Sequence, residues 1–142
     1  MIMWYANIGN TIYSYVKYVM ENQKGWSQKK LYCTPDLGLT AVDEDGTPKN
    51  FPTLYIHELP SVEKGNDLTN ETVNAVLSSV EIKGYTKEKN DGLELISDAA
   101  ECMKALKFNI TGIPLVEQTG DYYTSVARFR RMVGSGDKDL VS

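Results

Sequence analysis

The chain has few of the residues that usually build metal centres, disulfide frameworks and catalytic triads. Its 142 residues include one histidine, His57, and two cysteines, Cys33 and Cys102. Two such distant cysteines form no disulfide framework and no zinc-ligand spacing, so we expect reduced, buried thiols. A lone histidine in a strand is more typical of packing than of catalysis. The sequence therefore predicts no catalytic residue, no cofactor and no metal.

Long hydrophobic runs are also absent. No segment approaches the roughly 18 consecutive apolar residues of a membrane span. The N-terminus, Met1-Ile-Met-Trp-Tyr5, lacks the basic region and the continuous apolar core of a signal peptide. We therefore expect a protein that has no contact with a membrane and is not exported by that route.

The chain also lacks an excess of positive charge, with 15 lysines and arginines against 19 aspartates and glutamates. The net charge is −4 and the pI is near 5.0, which argues against broad binding to nucleic acid or to an anionic membrane. The acidic segment Asp43-Glu-Asp45 lacks the pattern of a calcium-binding loop. With 42% hydrophobic and 24% charged residues, the composition is that of an ordinary globular domain, and the length fits a single one.

All three arginines of the chain lie close together, in a late segment that alternates like a strand. Alternation places Arg128 and Arg130 on one face and Arg131 on the other. A guanidinium group makes paired planar contacts that lysine cannot make. The cluster has two interpretations, a charge-protected edge strand and a contact with a subunit or partner, and the residues alone favour neither.

Apolar periodicity predicts two amphipathic helices, over residues 4–22 and 92–107. Asn90 or Asp91 is the expected N-cap of the second helix. The apolar stripe of the first helix comprises Ile8, Ile12, Val16, Val19 and Met20. That of the second comprises Leu93, Ile96, Ala99 or Ala100, Met103 and Leu106.

The remaining segments predict a sheet. The order α-β-β-β-α-β-β indicates an α+β fold, with a mainly antiparallel sheet of about four to five strands and two helices on one face. We expect a single domain, 1–142, with an exposed loop at about 35–50, a second loop at 60–71 and a flexible tail from about 134. The predicted strands are 28–34, 51–59, 72–85, 110–118 and 122–133. Pro114 interrupts the fourth of them.

This order of segments resembles the tail terminator (tail completion) family of long-tailed bacteriophages. Phe51-Pro-Thr-Leu-Tyr-Ile56 is similar to the aromatic-Pro-x-apolar strand of the family. The segment from Ser97 to Leu106 corresponds to its second helix, and Phe108-Asn-Ile110 follows. The stretch from Gly120 to Gly134 is similar to the final arginine-bearing strand and its glycine exit. The insertion at 35–50 departs from the family pattern.

The resemblance implies a structural protein without enzymatic activity. Family members form a hexameric ring on the last ring of the tail tube, stop its polymerisation and present a surface to the head connector. The implied partners are other copies of the chain, the tail-tube protein and a connector or stopper protein. The implied location is the head-proximal end of the virion tail, after assembly in the host cytoplasm. DNA would pass through without specific binding.

Two groups of residues are the expected subunit or partner contacts. One is the late strand, with Tyr122, Tyr123, Arg128, Arg130 and Arg131. The other is the acidic loop with Asp43, Glu44 and Asp45. An acidic surface around a channel would also repel DNA, which is a hypothesis for this loop.

Three alternatives remain open. Another head–tail connector or tail-tube component would share the same order of segments. A small intracellular hydrolase would use His57 with a nearby carboxylate, or pair it with Cys33 or Cys102 as a nucleophile. That hypothesis predicts that His57→Ala abolishes activity and leaves the fold intact. An adaptor unrelated to phage would be a monomer or dimer that binds a peptide.

Overall fold

The computed structural model describes residues 3–36, 42–44, 46–66 and 73–141. It confirms the predicted α+β class and the order of the elements. Helix α1 spans Ile8–Tyr18 and continues as a π-helical turn over Val19–Gln23. The other elements are β1 (Tyr32–Thr34), β2 (Thr53–Asn66), β3 (Val73–Thr86), α2 (Lys89–Ala105), β4 (Asn109–Thr119) and β5 (Tyr122–Gly134).

The five strands form one sheet in the order β1-β2-β3-β5-β4. Only the β1–β2 pair is parallel, and the other pairs are antiparallel. The final two strands form a hairpin around Gly120, whose φ of 63° is a left-handed conformation that glycine tolerates. This turn joins the predicted strands 110–118 and 122–133.

Both helices pack on the same face of the sheet, which we call the helix-covered face. Alternate residues of the two central strands point into this layer, including Val80 and Ile82 of β3 and Ala127 and Phe129 of β5. They join the buried residues of α1 and α2 in a single hydrophobic cluster. Burial of large aliphatic and aromatic side chains stabilises the domain by roughly 1.5–3 kcal/mol for each.

The second helix differs from the prediction at its start. It begins at Lys89, with Glu88 as N-cap residue and no side-chain cap, so neither Asn90 nor Asp91 has the predicted role. The predicted apolar stripe is wrong at Leu93, which is 46% exposed, whereas Leu95 is fully buried. The sheet decides this, because Leu95 packs directly over Gly84 of β3.

Strand β2 is longer than predicted. Residues 60–66 were expected in a loop but extend the strand to Asn66, while 67–72 lie outside the described residues. The register shifts between Leu59 and Val62, and this irregularity accommodates Pro60. The sequence shows only the proline and the polar residues, which are typical of loops, whereas pairing with β3 continues through them.

The strand predicted at 28–34 is mostly wrong. Residues Trp26–Lys29 form a 3-10 helix, and only Tyr32–Thr34 pair with β2. The cause is tertiary, because Trp26 is buried and its Nε1 donates a hydrogen bond of 2.8 Å to Asp98 Oδ2. In the loop predicted at 35–50, Val42 and Pro48 form an isolated bridge, and 37–41 and 45 lie outside the described residues.

The C-terminal segment, predicted as a flexible tail from about 134, packs against the core in the structure. Leu140 is 2% exposed and belongs to the hydrophobic cluster. Asp137 Oδ1 accepts backbone hydrogen bonds of 3.0 Å from Asp139 and Leu140, which fixes the turn. Arg131 pairs with the same carboxylate and also donates to the Leu106 carbonyl oxygen.

Candidate functional site: the open face of the sheet

Neither helix packs on the opposite side of the sheet, which we call the open face. Strand register defines it, because residues directly opposite each other on neighbouring strands point to the same face. Its members form successive rows across β2, β3 and β5. The three central rows are His57–Glu81–Arg128, Leu59–Ser79–Arg130 and Val62–Leu77–Met132.

The first of these rows is centred on a buried carboxylate. Glu81 is only 8% exposed, although it lies on the open face. Arg128 Nε donates a hydrogen bond of 2.8 Å to Glu81 Oε2, and Lys83 Nζ lies 3.6 Å from Oε1. The Arg128 side chain remains 61% exposed. The carboxylate therefore holds both cations in place on the face and is satisfied within the chain.

Large apolar side chains surround this charged centre and are exposed to solvent. Met132 is 51% exposed, Leu115 57% and Ile113 86%, and Val62 is exposed beside Leu77. A groove of about 270 Å³ runs beside Leu115 and Arg128 along the β4 edge. Exposed apolar side chains grouped with arginine are typical of a protein–protein contact.

The predicted contact residues are separated by the fold. Arg128 and Arg130 lie on the open face, whereas Arg131 lies on the helix-covered face, as alternation predicts. Tyr122 stays near the open face, packed against Phe51 and Tyr85 with ring centroids 5.4 and 6.1 Å apart.

The other predicted contact residues lie elsewhere. Tyr123 is half-buried on β5 opposite Thr86 of β3, and so belongs to the helix-covered side of the sheet. Asp43 and Glu44 are exposed, and Asp45 lies outside the described residues. The structure therefore brings Arg128 and Arg130 together, and of the described acidic residues of the loop, neither Asp43 nor Glu44 pairs with them.

Sequence reasoning missed Glu81 and the apolar row. Glu81 appears in the sequence as one polar residue of a strand, and only the register places it beside Arg128. Val62 was expected in a loop, so its alignment with Leu77 and Met132 could not be anticipated. This alignment could have been predicted only if the sequence had indicated a longer β2, and Pro60, which is typical of loops, points to the end of the strand instead.

His57 shows no arrangement for nucleophilic catalysis. Its ring stacks on Tyr55 with centroids 5.3 Å apart, and it faces Glu81, whose carboxylate pairs with Arg128. Both cysteines are buried on the helix-covered side of the sheet, Cys33 on β1 and Cys102 on α2, whereas His57 points to the open face. A Cys–His pair would need both groups on one face.

We expect both cysteines to react slowly with iodoacetamide at neutral pH in the folded protein. Burial raises the pKa of Cys33 to about 12 and that of Cys102 to about 11, so little thiolate forms. Labelling followed by intact mass should reach two adducts only after denaturation. Equally fast labelling of native and denatured protein would contradict this expectation.

A second concavity, of about 200 Å³, lies between α1 and the β2 edge. It is lined by Asn10, Tyr13, His57 and Glu58, among others, and burial raises the pKa of Glu58. Within the described part of the chain, no group of three or more His, Cys, Asp or Glu residues could hold a metal ion. No helix in the same part is long and apolar enough to cross a membrane.

Among the described residues, the open face is the candidate site with the most side chains of the kinds enriched at protein–protein contacts. In comparisons with known proteins, no family model and no curated protein sequence matches this chain.

Proposed function

We infer that the protein is a structural subunit of a phage tail. It caps the tail tube as a ring, stops tube polymerisation and joins the tail to the head connector. The observation that carries this conclusion is the open face, where the exposed side chains of Arg128, Arg130 and Met132 follow one another at alternate positions of β5. The similarity of segment order to the tail terminator family supplies the setting.

The composition of the open face supports an assembly role. Arginine, methionine and tyrosine are enriched at protein interfaces, whereas lysine and glutamate are depleted. Here Met132 and Leu115 lie on the same face as two arginines, and Glu81, the carboxylate in the row of Arg128, is already paired. A ring subunit needs two unlike surfaces that meet repeatedly, and an exposed face of this kind can be one of them.

The sheet edges support contact through faces rather than through strand pairing. Strand β4 is an edge, and its register is irregular between Ile110 and Leu115, around Pro114. Strand β1 pairs only with Thr53–Tyr55 of β2, so the rest of β2 forms the opposite edge, where Pro60 and the register shift between Leu59 and Val62 interrupt the strand. Bulges, proline and short edge strands are the usual devices that prevent uncontrolled edge-to-edge assembly.

The charge of the chain suits a ring through which DNA passes. The net charge is −4, so the chain as a whole is acidic. An acidic surface around a channel would repel the phosphate backbone and keep DNA from adhering. Specific nucleic-acid binding is not part of this proposal.

The hydrolase alternative finds less support. Its general base would be His57, and the carboxylate opposite it, Glu81, is occupied by Arg128 and Lys83. Another head–tail connector or tail-tube component would use the same face in the same setting. Position on the tail distinguishes these structural roles.

The test is native mass across a concentration series together with negative-stain class averages, with and without purified tail tubes. We expect a six-fold ring of ~95 kDa, six times the subunit mass of 15.9 kDa, free or seated at one end of the tube. Added protein should also stop tube elongation. A stable dimer that does not bind tail tubes would overturn the proposal. Binding along the whole length of the tube would favour a tail-tube component.

A further inference from the structure

We propose that the open face binds the acidic outer face of helix α2 of a second copy of the same chain. The inference rests on the proposed function, because it names the contact through which ring subunits meet. It is carried by charge complementarity between two surfaces on opposite sides of one molecule. The α2 acidic face is formed by Asp91, Glu94, Asp98 and Glu101.

The open face carries a net positive charge. Lys83, Arg128 and Arg130 stand on it in neighbouring rows, against one paired carboxylate in those rows, Glu81. Arg130 is exposed, and within the described residues its side chain has no hydrogen bond or ion pair. On a chain of net charge −4, this cation is available to an acidic surface.

The α2 acidic face is the matching surface. Lys29 lies 3.8 Å from Glu94, Lys24 pairs with Glu101, and Asp98 accepts the hydrogen bond from Trp26. Lys104 of the same helix also acts electrostatically on Glu101, so four carboxylates stand against three lysines and the face keeps a small net negative charge. Both pairs are at the surface, where exchange for another cation costs little. Leu93 is 46% exposed on the same helix and supplies an apolar contact for the exposed Met132 or Leu115.

The two surfaces cannot meet within one molecule, since the sheet and the core lie between them. Contact between copies is therefore front to back, with the open face of one on the α2 acidic face of the next. Such heterologous contacts close into rings when the rotation per subunit permits. Two open faces against each other would instead bring two positively charged surfaces together, which is unfavourable.

The experiment uses charge reversal on each surface of the full chain. Arg130→Glu and Glu94→Lys should each weaken self-association about tenfold, measured by sedimentation equilibrium and native mass. Lys17→Glu is the matched control, because this exposed lysine of α1 lies on neither surface. It changes the net charge as much as Arg130→Glu does and should associate like the original chain. Circular dichroism confirms that each variant is folded.

Mixing gives the decisive result. Arg130→Glu copies keep an intact α2 acidic face, and Glu94→Lys copies keep an intact open face. An equimolar mixture should therefore restore association, because every contact in an alternating ring pairs opposite charges. Isologous contact between open faces predicts instead that Glu94→Lys alone leaves association unchanged, because Glu94 lies outside the open face.

The outcomes separate the inference from the proposed function. If the original chain forms rings and both variants do so equally well, or if the mixture shows no rescue, the contact is wrong and the ring proposal stands. If the original chain neither self-associates nor caps tail tubes, both fail. Weakening of self-association by Arg130→Glu alone would pair the open face with a surface of the second copy other than the α2 acidic face and would overturn the inference.

Discussion

Gly84→Ala is expected to destabilise the protein by roughly 1–3 kcal/mol, the usual cost of forcing extra atoms into a packed core. A Cβ at this position would lie 2.5 Å from Ser125 Oγ and 2.9 Å from Leu95 Cδ2. Both neighbours are fully buried, so neither can move into solvent. The new methyl group would push α2 away from the sheet, and urea unfolding followed by circular dichroism would measure the loss.

The control is Gly112→Ala on strand β4. Its Cβ would meet only ordinary contacts, the nearest being Arg128 Cβ at 3.6 Å. Neither Gly84 nor Gly112 has a positive φ, so the comparison isolates packing from backbone strain. Adding Ser125→Ala to Gly84→Ala should recover part of the loss, because it removes the hydroxyl oxygen at the shortest contact. Equal stability of the two glycine variants would refute the packing explanation.

Arg131→Met is expected to cost roughly 3 kcal/mol, the lower end for breaking a buried ion pair from one side. The Arg131 and Asp137 side chains are 13% and 11% exposed, and they form an ion pair. Arg131 Nη1 also donates a hydrogen bond of 3.0 Å to the Leu106 carbonyl oxygen at the end of α2. Methionine keeps much of the volume and leaves the Asp137 carboxylate unpaired, so the C-terminal turn should detach.

Arg130→Met is the matched control, one residue away on the other face. Arg130 is exposed and makes no side-chain hydrogen bond within the described residues, so its loss should change stability by less than about 0.5 kcal/mol. Thermal and urea unfolding of both variants would provide the comparison. Hydrogen exchange at Leu140 should rise in Arg131→Met alone. If both variants were equally stable, the Arg131–Asp137 pair would have no structural role.

These two arginine variants divide the cluster by function. Arg131 ties the C-terminal turn to the end of α2, so its replacement should reduce stability. Arg130 has no such internal role, so its replacement should leave the fold intact and affect association. A single interpretation for all three arginines would miss this difference, which follows from the alternation of side chains along β5.

Much of the fold could be predicted because it depends on local patterns. The spacing of Ile8, Ile12 and Val16 fixes a helix, and the alternation through Val80 and Ile82 fixes a strand. The candidate site was harder to predict from the sequence. Alternation correctly separated Arg128 and Arg130 from Arg131, but the residues beside them come from strands far away in the chain. Their identity depends on register, which no local pattern contains.

The predictions that the structure contradicts were wrong because contacts between distant segments are not visible in a local sequence pattern. Leu93 and Leu95 both fit an amphipathic helix, and the space over Gly84 decided which one is buried. No local sequence pattern predicts the 3-10 helix that begins at Trp26, but the hydrogen bond from Trp26 to Asp98 holds the residue in place. In each case a partner distant in sequence outweighs the local preference.

By itself the sequence determined the α+β class, the order of the elements and the opposite faces of the arginines, because side-chain periodicity and turn residues act over a few neighbours. Only the tertiary structure decided the length of β2, the start of α2, the packing of Leu140 and the placement of Glu81 beside Arg128. These depend on strand register and on packing between distant segments, where burial and ion pairing are shared by residues that no local window contains together.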